Sequence, residues 1–104
     1  MRVLMIVSFP VEAANALARK GTLGQTIEAI LQDIKPECAY FGEDSGKRTA
    51  FIVVEIDGMH KIPALAEPWF LALNASIEFK PVMTPEDLQK AAPDIERAAK
   101  TYGA

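Results

Sequence analysis

The sequence predicts an α+β chain: one four-stranded antiparallel sheet with its helices on a single face. Three observations lead there. Arg2–Ser8 and Arg48–Ile56 each open with an arginine and continue as a mostly apolar run, rich in the Val and Ile that favour buried strands. They recur about 46 residues apart, which leaves room in each half for one β-α-β unit of about 30 or more residues. A short polar turn at Gly42–Gly46 then forces the strands on either side of it to run antiparallel. The resulting order is β-α-β-β-α-β-α.

Each element has a local reason. After the strand Arg2–Ser8, Pro10 suits the first turn of a helix, with Ser8 or Phe9 near the cap. Val11, Ala14, Leu17 and Ala18 share one face of that helix. Gly21 breaks it, and Thr22 is placed to cap a second piece. In this piece Leu23, Ile27, Ile30, Leu31 and Ile34 repeat at helical spacing, and Pro36 ends it. A strand through Cys38–Phe41 leads into the hairpin turn and the strand Arg48–Ile56. Asp57-Gly58 turns the chain again, and Pro63 begins a helix lined by Ala64, Leu65, Trp69, Phe70 and Leu73, which Pro68 is expected to kink or split. Ala75–Val82 alternates Ile77 and Phe79 with Ser76, Glu78 and Lys80, as a strand with one buried face does. Thr84-Pro85-Glu86-Asp87 is a helix start: a capping threonine, proline at the first helical position and two acids against the positive helix end. Leu88, Ala91, Ala92, Ile95, Ala99 and Tyr102 give the last helix an apolar face, with Pro93 expected to divide it.

Right-handed crossovers put the first and third strands at the centre of the sheet. A sheet covered on one face should alternate apolar and polar residues along those strands. These do not: Val3, Met5 and Val7 oppose Leu4 and Ile6, and Ala50, Ile52, Val54 and Ile56 oppose Phe51 and Val53. Both faces avoid water, yet the helices of the two units cover only one. A homodimer packing its open sheet faces together resolves this. The monomeric alternative lays the last helix over the open face.

The β-α-β-β-α-β order over residues 2–82, the length near 100 residues and the doubly apolar central strands resemble the ferredoxin-like dimeric α/β-barrel superfamily. That group holds small cofactor-free monooxygenases, muconolactone-type isomerases, haem-degrading enzymes and stress-responsive proteins. The stretches Ile62–Phe70 and Met83–Leu88 are also similar to a small bacterial family of uncharacterised function. The resemblance implies a dimer with a cavity on the non-helical face of each sheet and no required cofactor. The haem-degrading members use an asparagine, a tryptophan and a histidine. Here Asn74, Trp69 and His60 occur in a different order and on different elements, and the first strand ends Val7-Ser8-Phe9 without an asparagine, so haem degradation is not expected.

Composition narrows the rest. The 104 residues suit one domain, 1–104, and half are apolar, enough for a core. A net charge of −3 argues against nucleic acid as partner. The single Cys38 excludes an internal disulfide and reads as an inert, buried thiol, while a lone His60 excludes a multi-histidine metal site, so no metal is expected. Arg2, the run Val3–Phe9 and Ala14-Asn15-Ala16 imitate a secretion signal, but Pro10 and Glu12 interrupt it, and nothing approaches the ~20 apolar residues of a membrane span. The expectation is a cytoplasmic protein that does not enter membranes.

By strand parity the open face carries Tyr40, Phe51, Val53, Glu55, Ser76, Glu78 and Lys80. An apolar floor with a few polar groups is what a small organic ligand requires. A carboxylate enclosed there, such as Glu78, would have its pKa raised and could remove a proton next to a carbonyl; otherwise Glu55, at a strand end, and Glu78 and Lys80 are solvated or bridge subunits. His60, with an ordinary pKa near neutrality, follows Asp57-Gly58 and would overhang the cavity mouth, or lie idle on the surface. Tyr40, Phe51, Glu55, Trp69 and Asn74 are the candidate ligand contacts. Trp69 can instead anchor its helix to the sheet. The function expected is ligand binding in a cavity of a dimer, extending to a cofactor-free isomerase or monooxygenase. The alternative is a non-enzymatic assembly or regulatory module whose apolar sheet only makes an interface.

Overall fold

The computed structural model describes residues 1–104. The order is β1 (Arg2–Ser8), α1 (Val11–Arg19), α2 (Leu23–Ile34), β2 (Cys38–Asp44), β3 (Lys47–Glu55), one 3-10 turn (Met59–Lys61), α3 (Ile62–Leu73), β4 (Ser76–Val82) and α4 (Pro85–Tyr102). All strand pairs are antiparallel and the sheet runs β2-β3-β1-β4, with the two most apolar strands central. This is the ferredoxin-like βαββαβ order followed by a C-terminal helix.

Three local expectations are revised. The β2–β3 hairpin is tighter than Gly42–Gly46: β2 continues to Asp44, and Ser45 and Gly46, at φ 54° and 79°, close a two-residue turn. Left-handed backbone at both positions matches the twist of the flanking strands. Thr22 does not cap α2 with its side chain; its hydroxyl donates to the Leu17 carbonyl at 3.4 Å and closes the end of α1. Neither Pro68 nor Pro93 interrupts its helix. An interior proline costs roughly 3 kcal/mol. In α3, burial of Leu65, Ala66, Trp69 and Leu73 offsets that loss.

The core lies between the sheet and α1–α3. Val3, Met5 and Val7 of β1 and Ala50, Ile52 and Val54 of β3 are buried against Ala14, Ile30, Leu65, Trp69 and Leu73. Trp69 is fully buried and stacks on Phe9, ring centroids 5.8 Å apart and planes 19° from parallel. Its Nε1–H is buried without a partner, so the ring is held by packing alone. Arg48 Nη1 donates to Asn15 Oδ1 at 2.9 Å and ties β3 to α1.

No residue of the other sheet face belongs to this core, and neither does any residue of α4. The monomeric arrangement, with the last helix laid over the open face, is not the one adopted. The radius of gyration is 17.6 Å and the long axis 60 Å, against about 13 Å for a compact chain of about 100 residues. The excess comes from α4, which stands away from the domain.

Replacing Trp69 by alanine is expected to lower the unfolding free energy by about 3–5 kcal/mol in denaturant titration. Trp69→Phe, which keeps an aromatic stack, removes the unpaired N–H and leaves a smaller cavity, should cost clearly less than the alanine replacement.

Candidate functional site

The open face is ordered in rows by the strand register. Across its middle run Tyr40 of β2, Phe51 of β3, Ile6 of β1 and Glu78 of β4, each aligned with the next. One step along lies Cys38–Val53–Leu4–Lys80. At one end Glu55, Arg2 and Val82 form a charged row, and at the other Gly42, Thr49, Ser8 and Ser76 form a small polar one. Adjacent strands are about 4.8 Å apart, so the aromatic row spans about 14 Å, the breadth of a small organic molecule.

The middle rows are apolar and lack any covering element. Leu4, Ile6, Phe51 and Val53 are half-buried only by one another and their strand neighbours, while Tyr40 is 70% exposed. Gly42 leaves the flank of Phe51 open; a Cβ there would rest 3.8 Å from the ring. At the other border Lys80 Nζ lies 3.5 Å from Glu78 Oε2, and both are well exposed. The row therefore offers a phenol at one side, an aromatic and aliphatic floor, and a carboxylate beside an ammonium at the other.

The charged end is braced by an ion pair that crosses β3. Arg2 donates from Nε and Nη2 to both carboxylate oxygens of Glu37 at 2.9–3.1 Å. These hydrogen bonds, with the attraction of the guanidinium, hold the Glu37 carboxyl below its ordinary value and raise Arg2 further. The Met1 ammonium lies 2.7 Å from Glu55 Oε1. A cleft of about 590 Å³ opens beside it, lined by Glu55, Asp57, Lys61, Asp33 and apolar neighbours from α2 and α3. A second, of about 400 Å³, lies around Phe9, Ile27, Phe41 and Thr49. Neither is centred on the aromatic row.

The remaining sequence candidates separate. His60 stands on the 3-10 turn beyond the charged end, 73% exposed, with Nε2 4.0 Å from Asp57 Oδ1. Asn74 lies before β4, beyond the opposite end, where its left-handed backbone (φ 53°) terminates α3. The sheet is about 20 Å long between those ends, at about 3.4 Å per residue, so His60 and Asn74 do not share a site. Trp69 is in the core on the helical side, in the anchoring role the sequence also allowed. The row thus joins Tyr40, Phe51 and Glu78, with Glu55 at its charged margin. Sequence reasoning missed the Arg2–Glu37 brace, because residues 35 positions apart meet only through the register. No three His, Cys, Asp or Glu side chains gather closely enough to hold a metal ion. No helix is long and apolar enough to cross a membrane.

The family model of a domain of unknown function, DUF3303, matches residues 1–96. The chain belongs to this family. Comparison with curated proteins gives no match. The DUF3303 match takes in the whole sheet, the three packed helices and the first two-thirds of α4.

The folded Glu37 carboxyl titrates below its unfolded value near 4.5. Its contribution to stability is therefore complete above that value and lost as pH falls through the lower folded one. Thermal melts from pH 5 to 3 should show a shallower acid loss for Glu37→Gln than for the wild type. Part of the loss should remain, because Asp87, held low by its hydrogen bonds from Thr84, titrates with the same sign.

Proposed function

We propose that this DUF3303 domain is a homodimer of the dimeric α/β-barrel kind, its open sheet faces turned toward each other around a small organic ligand. The observation that carries the reading is the uncovered aromatic row, Tyr40–Phe51–Ile6–Glu78, in a chain whose helices all lie elsewhere. A soluble chain does not leave such a face to water, and a two-fold axis covers both copies at once. The free thiol of Cys38 suits a reducing cytoplasm.

The row fits a flat molecule with a carbonyl or hydroxyl group. Phe51 and Ile6 supply the floor, Tyr40 a hydrogen-bonding phenol, and Glu78 a base. Enclosure by the second subunit would take the Glu78 carboxylate out of water and leave it facing the bound molecule. Proton transfer next to a carbonyl, as in a cofactor-free isomerase or monooxygenase, is the chemistry such a group serves. The Glu78–Lys80 contact supports a second reading, in which the pair is an ordinary element of an interface without chemistry.

Native mass spectrometry of the protein as purified tests both parts. A dimer carrying an added small mass is expected. A dimer at bare mass would overturn a tightly held ligand and favour the assembly module, and a monomer would overturn the dimer. Phe51→Glu should weaken the dimer on the order of 100-fold in sedimentation equilibrium. Leu71→Glu, on the outer surface of α3, should leave it unchanged.

A further inference from the structure

We propose that α4 is an arm that packs its apolar stripe onto a second copy of this chain, an inference that rests on the dimer proposed above. Leu88, Ala91, Ala92, Ile95, Ala99 and Tyr102 recur at helical spacing on α4, and none of its residues is buried. Helices in proteins owe most of their stability to the packing of an apolar face, and an interior proline removes roughly 3 kcal/mol. Pro93 stands inside this 18-residue helix without dividing it. In α3 the same insult is offset by burial in the core, whereas α4 has no packing within its own chain to offset it.

The chain's own open face does not supply that packing. Only Met83 and Thr84 separate β4 from α4. Thr84 and Asp87 form reciprocal side-chain to backbone hydrogen bonds, at 3.1 and 3.2 Å, which fix the helix start. From there the helix runs off the domain along the 60 Å long axis.

A lipid surface is a poor occupant. Three of the six stripe residues are alanines, with Leu88, Ile95 and Tyr102 the bulky anchors. The polar face mixes Glu86, Asp94 and Glu96 with Lys90, Arg97 and Lys100 rather than presenting a basic field. Small residues suit close approach to a firm protein surface. A second copy offers one, and the two-fold axis that turns the open faces together brings the end of β4, the root of each arm, beside it. Area agrees as well. An 18-residue helix is about 27 Å long. With a contact strip about 10 Å wide, two exchanged arms and the surfaces beneath them bury about 1,100 Å², above the roughly 1,000 Å² that a specific interface needs.

The test uses the full chain with Cys38→Ser, so that one new cysteine can carry a benzophenone photocrosslinker. Ile95→Cys labels the stripe, and Arg97→Cys, two residues on and about 160° round the helix, is the control. The oligomeric state of the unlabelled wild type is measured alongside. Irradiation of labelled Ile95→Cys is expected to give a covalent species of twice the chain mass, at least fivefold above the Arg97→Cys yield. A dimeric protein whose Ile95 label links only within its own chain, or not above control, would overturn the arm and leave the dimer standing. A monomeric wild type would overturn both.

Discussion

A β-sheet has two faces, and the helices of this chain reach only one of them. That constraint organises the molecule. Val3, Met5, Val7, Ala50, Ile52 and Val54 take the helical side and, with Trp69 stacked on Phe9, build the core. Their strand neighbours Leu4, Ile6, Phe51 and Val53 point the other way, and no element of the same chain is positioned over them. Hydrophobic burial scales with the apolar area removed from water, so a face of this kind is half of an unfinished core.

The register turns that face into something more specific than a greasy surface. Pairing β2 with β3 and β1 with β4 places a phenol, a phenyl ring, an aliphatic side chain and a carboxylate in one line, and a charged row in another. Under the proposed function the row from Tyr40 to Glu78 is where a polar, flat molecule would lie, while the Arg2–Glu37 brace holds the charged end of the sheet.

Much of this was legible in the residues because strands have a period of two. Arg2–Ser8 emerges with the bounds its composition predicts, and the membership of Tyr40, Phe51 and Glu78 in one face follows from parity alone. What the sequence hid was governed by longer-range terms. Gly42–Asp44 reads as turn because it is polar, yet an edge strand open to solvent needs no apolar residues, and Ser45-Gly46 suffices to reverse the chain. Pro68 and Pro93 read as breaks because propensity is local, whereas helix survival depends on what the helix packs against. His60 and Asn74 looked like site residues from their chemistry; the register sets them beyond opposite ends of the sheet.

The central claim is that the open sheet face is covered in the working protein. Hydroxyl-radical footprinting of the unmodified chain, read residue by residue by mass spectrometry, tests it most directly. Leu71, 80% exposed on α3, serves as the internal reference for a free side chain. Tyr40 and Phe51 should react far more slowly than Leu71, after correction for intrinsic reactivity, and should lose that protection on dilution. A Tyr40 that reacts at every concentration as its 70% exposure in the single chain dictates would contradict the account.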